Sequence, residues 1–188
     1  VISTEGTIYF DDVYLDGPLT DEQQKEADKM EEGEGAGQEK PPVEGAVDVM
    51  INGGYEELDQ EGNPEGLQCF GSWGEYAQVV QDAPHGGENC MQISTTEPKY
   101  PWVRHTIRDL MPGAQYQLTF WYKSDNDNFA VKFEFYGDQD TANPFYNQAQ
   151  TPYYPRTNEW TKATYTVTVP RRADEMQIYM RNFASTGT

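Results

Sequence analysis

The sequence predicts an all-β protein, a β-sandwich of two antiparallel sheets with an acidic linker preceding it. Three observations lead there. Short strand-like runs recur between clusters of Gly, Pro, Asn and Asp, at the spacing of a sandwich. Within several runs apolar and polar residues alternate with period two, as on a strand with one buried face. One stretch departs from this: from Asp16 to Pro42 there are nine acids, three Lys and no aromatic residue.

Taken in order, residues 1–15 contain Thr7-Ile8-Tyr9-Phe10-Asp11-Asp12-Val13-Tyr14-Leu15, rich in β-branched and aromatic types and read as a strand. Residues 16–46 cannot bury enough apolar area to offset ordering entropy and read as a flexible linker. Inside it, Thr20-Asp21-Glu22-Gln23 fits the start of a short helix running to about Met30. Residues 47–188 form the β domain, with strands expected at 47–51, 74–81, 89–95, 101–108, 115–123, 129–136, 160–169 and 174–183. In the last, Met176, Ile178 and Met180 share one face, and Gln177, Tyr179 and Arg181 the other. In 115–123, Leu118, Phe120 and Tyr122 oppose Gln117, Thr119, Trp121 and Lys123. In 101–108, Val103 and Ile107 oppose Trp102, Arg104 and Thr106, and His105 falls on the apolar face as a core histidine.

Charge excludes several functions. Thirteen Lys and Arg against 32 Asp and Glu give a net charge of −19, which disfavours nucleic acid and anionic membrane surfaces alike. No run approaches the roughly 18 apolar residues of a spanning helix. The chain has no initiator Met and no visible signal peptide, and its first residues already read as a strand, so it reads as a fragment of something longer. Cys69 and Cys90 allow one disulfide or two buried thiols.

The chain opens Ile2-Ser3-Thr4-Glu5-Gly6-Thr7 before its first strand and closes Ala184-Ser185-Thr186-Gly187-Thr188. The end looks like the start of the same motif, as in a tandem array. Residues 1–15 therefore complete this domain, a preceding one or a neighbouring copy. About 30 flexible linker residues, with a root-mean-square span of roughly 30 Å, permit fold-back.

A family resemblance rests on five motifs in order. Asn52-Gly53-Gly54-Tyr55-Glu56 resembles the N-G-x-F/Y-E opening of jelly-roll carbohydrate-binding modules of families 4, 9 and 22. The runs Gly86 to Ile93, Leu110 to Phe120, Trp160 to Pro170 and Ile178 to Met180 resemble their later strands. The closing G-x-i-y-f-D-D-v-x-l of the family is found here at residues 6–15. The resemblance implies a jelly roll that binds polysaccharide without cleaving it, plant cell-wall β-glycans such as xylan or β-glucan, in an extracellular multimodular protein.

Sugar binding needs flat apolar surfaces for pyranose C–H faces, with amides or charged groups for the hydroxyls. Trp102, Trp121, Tyr136 and Tyr179, interleaved with Arg104, Lys123, Glu134 and Arg181, are expected on one sheet, with Tyr146 as a further platform. By the resemblance, Trp102 stands at the family 22 stacking position, and Tyr179 and Arg181 at its penultimate-strand contacts. The resemblance also implies a structural Ca²⁺ held by Glu56, the Gly87-Glu88-Asn89 turn and Asp11, with Asp11, Glu56 and Glu88 as its carboxylates. Catalysis has little support: His85 and His105 lack partners at triad or metal spacing, and no carboxylate pair is marked. The rival expectation is a structural repeat of an extracellular fibre or adhesin, its terminal strand passed between neighbouring copies.

Overall fold

A computed structural model of the chain describes residues 6–25, 47–82, 84–96, 99–137 and 145–183. Ten strands pair among them: β1 (Gly6–Asp16), β2 (Gln68–Cys69), β3 (Ala77–Val80), β4 (Cys90–Thr95), β5 (Trp102–Ile107), β6 (Gln115–Ser124), β7 (Phe129–Gly137), β8 (Phe145–Gln150), β9 (Thr157–Thr168) and β10 (Glu175–Asn182). They form two five-stranded antiparallel sheets, ordered β3-β4-β1-β6-β9 and β2-β5-β10-β7-β8. The expected sandwich is present.

The core fills the space between the sheets. Ile8, Phe10, Leu118, Phe120 and Ile93 from one sheet meet Val103, Phe129, Phe133, Ile178 and Met180 from the other, all fully buried. Phe10 stacks on Phe129 across the interior at 6.2 Å between ring centroids. The alternation read from β5, β6 and β10 explains which side chains enter this layer: every second residue points inward.

β1 lies between β4 and β6, so residues 6–16 fill the middle of a sheet of this same chain. Its inward phase changes midway, from Ile8 and Phe10 to Val13 and Leu15. The cause is a bulge between Asp11 and Tyr14, where Asp12 adopts φ 48°. The Val13 N–H there donates to the Gly53 carbonyl at 3.0 Å. A Cβ on Gly53 would collide with the Val13 carbonyl oxygen, so glycine is required at that position.

Of the linker, 26–46 lies outside the described residues. Its start is a short helix at 21–25, closed by a capping box. Gln23 N–H donates to Thr20 Oγ1 at 3.3 Å, and Thr20 N–H to Gln23 Oε1 at 3.0 Å. The strand expected at 47–51 is reduced to one bridge, Asp48 against Asp16, while β2 and β8 were not expected. Cys69 and Cys90 are free thiols, and burial pushes the Cys90 thiol up to about 12.

Asp16 is a buried cost within the fold. One of its oxygens is buried without a hydrogen-bond partner, and burial together with the nearby Asp48 charge lifts its pKa to about 6. A carboxyl whose folded pKa exceeds its unfolded value near 3.8 destabilises the fold once ionised. Asp16→Asn is therefore expected to unfold at a higher temperature than the wild type at pH 8. That gap should close as pH falls through about 6 towards 4, where both chains are neutral at this position. Thermal unfolding at pH 8, 6 and 4 checks it; a pH-independent gap would contradict it.

Candidate functional site

The outer face of the β2-β5-β10-β7-β8 sheet gathers most of the expected site residues. Register sets them in cross-strand rungs. The first runs Gln68, Arg104, Tyr179, Lys132, Gln150. Beside it lies Trp102 opposite Arg181. On the other side run Thr106, Gln177, Glu134, Gln148, followed by Glu175, Tyr136 and Tyr146.

Aromatic rings and cations interleave as the alternation requires. Trp102 meets Tyr179 edge-on at 5.2 Å, and the Arg104 guanidinium sits 5.8 Å from each ring. Arg104 Nη1 donates to Gln177 Oε1 at 3.1 Å. Arg181 packs its guanidinium over Phe183 at 4.7 Å and Tyr100 at 5.6 Å. Burial lowers the Arg181 pKa. Beyond Trp102, an open depression of about 560 Å³ is lined by Glu61, Asn63, Gln68, Ser72 and Trp73, among others.

Glu134 organises the other half of the face. It accepts from Lys132 Nζ at 2.6 Å, Tyr136 OH at 2.7 Å, Tyr179 OH at 3.1 Å and Tyr146 OH at 3.2 Å. Burial pushes its pKa up, but the Lys132 and Tyr136 hydrogen bonds and the Lys132 charge outweigh that and hold it below the usual value. For Tyr136, burial and then the Glu134 hydrogen bond raise the phenol pKa. Lys132 and Tyr136 hold one Glu134 oxygen each, and the single protons of Tyr179 and Tyr146 are shared between Glu134 and the Gln177 and Gln148 side-chain carbonyls.

Residues 47–182 match the profile of the carbohydrate binding domain family. The chain belongs to that family. No curated protein matches it. Among solved structures, this carbohydrate binding domain is similar to the enzymatically active domain of bacteriophage CBA120 tailspike protein 4, with TM-score 0.55 and 19% identity. That match covers 74% of this chain and 20% of the tailspike chain, so this chain spans a small part of its length and the likeness shows the fold alone. A family 16 carbohydrate binding module-2 gives TM-score 0.48 and 20% identity over 72% of this chain and 89% of that one. The tandem CBM22-1-CBM22-2 domain of Paenibacillus barcinonensis Xyn10C gives 0.46 and 20%, covering 69% and 43%.

The carbohydrate binding domain does not bring every expected residue to this face. Trp121 and Lys123 lie on β6, in the opposite sheet, and point to its outer side. There the His85 ring stacks on Trp121 at 3.9 Å, and Lys123 Nζ lies 4.6 Å from the Trp160 ring. Period-two alternation decides in or out along a strand; it does not decide which sheet holds the strand. Trp102, Arg104, Tyr136, Tyr146, Tyr179 and Arg181 do share one face. Phe183, Tyr100 and Lys132 were missed, although Lys132 alternates with Glu134 and Tyr136 on β7.

The expected calcium ligands meet the same turn without forming an oxygen cage. Glu56 Oε1 accepts from the Glu88 and Asn89 amides at 2.7 and 3.1 Å, and Oε2 from Asn89 Nδ2 at 2.8 Å. Buried Asp11 accepts from the His85 and Gly86 amides at 2.8 and 3.1 Å, and His85 Nδ1 lies 2.7 Å from Asp12 Oδ2. Burial raises the Asp11 pKa to about 6 against the pull of those amides. Glu88 contributes a main-chain N–H, and among the described residues no three His, Cys, Asp or Glu stand together as a metal group. As arranged, Asp11 and Glu56 do not fit a calcium ion, because their acceptor oxygens face N–H donors, and the Glu88 side chain is exposed. Chelation with EDTA is expected to leave the unfolding temperature within about 2 °C, less than a 1 kcal/mol loss would shift it in a domain of this size. A rise of several degrees on adding Ca²⁺ would show that the turn rearranges around the ion.

Proposed function

We propose that this domain is the non-catalytic, polysaccharide-holding part of a multimodular extracellular protein, and that its ligands are plant cell-wall β-glycans such as xylan or β-glucan. The observation that carries the reading is the row of Trp102, Tyr179 and the two guanidiniums on a solvent-facing sheet. Flat rings take pyranose faces and the cations and amides take hydroxyls. The role would be to hold an attached domain near its substrate and raise effective concentration.

The carboxylates of the face support binding over hydrolysis. Glu134 is hydrogen-bonded at both oxygens with a lowered pKa, the reverse of a general acid. Glu175 accepts from Arg108 Nε at 3.1 Å and from Gln177 Nε2 at 2.9 Å. Among the described residues no helix is long and apolar enough to cross a membrane.

One observation favours a second reading. β1 fills the middle of a sheet but lies outside the matched residues 47–182. A strand supplied from sequence outside the family match can be supplied by a neighbouring copy, which would join domains into a fibre. Residues 16–46 would then space them. Calorimetric titration with xylo- and cello-oligosaccharides, alongside sedimentation, tests both readings. Saturable binding lost in Trp102→Ala supports the first; absence of binding with concentration-dependent assembly supports the second.

A further inference from the structure

The sheet face is cationic in a chain whose net charge is −19. Its rungs carry Arg104, Lys132 and Arg181 against Glu134 and Glu175, and Arg108 follows β5 directly. Lys132 is spent on Glu134 and Arg108 on Glu175. Arg104 and Arg181 are left, and neither forms a salt bridge among the described residues. Both are half-buried, and the Nε of each is buried without a hydrogen-bond partner. Their neighbours are rings and neutral groups: Trp102 and Tyr179 beside Arg104, whose Nη1 donates to Gln177 Oε1 at 3.1 Å and Tyr179 OH at 3.4 Å, and Phe183 and Tyr100 beside Arg181.

Removing a guanidinium from water without a counter-charge is costly, and ring faces offset only part of that. The chain has 32 acidic residues, yet among the described residues neither guanidinium has a carboxylate within salt-bridge distance, and the Glu134 charge that acts on Arg181 is already held by Lys132. A guanidinium is a planar set of donors, and with Nε buried the nitrogens left to face a ligand are the terminal ones, which can take a carboxylate through two hydrogen bonds. Arg181 and Trp102 oppose each other in register, so one sugar ring stacked on Trp102 would bring its substituents to that fork.

We infer that the polysaccharide held on this face carries carboxylate groups, a uronate-containing glycan whose acid groups pair with Arg181 and Arg104. This rests on the reading of the sheet as a glycan-binding face and adds the chemical class of the glycan. Glu61 lines the depression beside Trp102, and its charge would repel acid groups from there.

The test titrates the full chain with three acidic probes: oligogalacturonate, oligomannuronate and glucuronate-substituted xylo-oligosaccharide. Each is paired with its carboxyl-reduced counterpart, beside neutral xylo- and cello-oligosaccharides and a sulfated oligosaccharide. At least one acidic probe is expected to bind about tenfold or more tighter than its reduced form, and to weaken as salt rises past the range where charges are screened. Arg181→Gln and Arg104→Gln, each checked for an unchanged unfolding transition, should abolish the preference while Lys123→Gln, on the opposite sheet, keeps it. If reduced or neutral glycans bind as tightly as the acids, the inference is overturned while the glycan-binding face stands. Binding of the sulfated probe alone overturns the carboxylate assignment. No binding by any glycan overturns the inference together with the reading beneath it.

Discussion

Removing residues 1–16 is expected to abolish cooperative folding of the remaining chain. β1 is the central strand of its sheet, so its loss strips the paired edges of both β4 and β6. It also withdraws Ile8, Phe10, Val13 and Leu15, none more than 1% exposed, from the core. Full burial of such side chains contributes about 1.5–3 kcal/mol each, so four of them account for about 6–12 kcal/mol. A domain holds only about 5–15 kcal/mol of net stability. The milder change Phe10→Ala removes the ring stacked on Phe129 and should cost about 3–5 kcal/mol. Thermal unfolding followed by circular dichroism reads both. A sharp transition retained by the truncated chain would show that β1 is dispensable; recovery of the transition on adding a peptide of residues 1–16 would show that the slot accepts a strand from outside.

Trp102→Ala is expected to weaken polysaccharide binding at least tenfold, with the fold retained. The indole is half-buried at the surface of the sheet rather than inside it, so truncation leaves no core cavity. What goes is the platform: a large ring that Phe70 and Tyr179 hold by edge contacts at 6.4 and 5.2 Å. The face also loses the ring that supports the Arg104 guanidinium. A tenfold loss corresponds to about 1.4 kcal/mol, within what a stacked aromatic contributes beyond its buried area. Trp121→Ala is the informative comparison. Both tryptophans were expected on one sheet, but the structure places them on opposite outer faces. Binding should be unchanged in Trp121→Ala, and a matching loss would put the ligand on the other sheet.

Much of the sandwich was legible because alternation is a strong signal where one strand face is dry. β4, β5, β6, β7, β9 and β10 all carry it, and each forms close to where it was expected. β8 was not legible: Tyr146, Asn147, Gln148 and Gln150 are exposed on an edge strand, so no apolar face marks it. β2 is two residues long and leaves no period to read. His105 was readable as a core histidine from its apolar strand face. Its partner, the Tyr55 hydroxyl 3.2 Å from Nε2, was not, because 50 residues separate them. Burial lowers the His105 pKa to about 4 and keeps that pair neutral. Six aromatic and arginine positions of the face followed from alternation plus resemblance. The hub role of Glu134 did not, since it depends on three tyrosines from three different strands converging on one carboxylate.

The bulge in β1 has a consequence for which strands can occupy the middle of that sheet. An ordinary strand is ambiguous under a two-residue slide, because its pattern repeats. β1 is not, because its inward positions change parity at Asp12. Sliding it by two residues would put Asp12 at a position now filled by an inward side chain, or displace the contact between Val13 N–H and the Gly53 carbonyl. The parity change thus works as a key with a single notch. A segment of the right length and composition but unbroken alternation would satisfy half of the slot and leave the other half facing water. Selection of the correct strand, whether from this chain or a sister copy, is written into one aspartate with an inverted backbone angle.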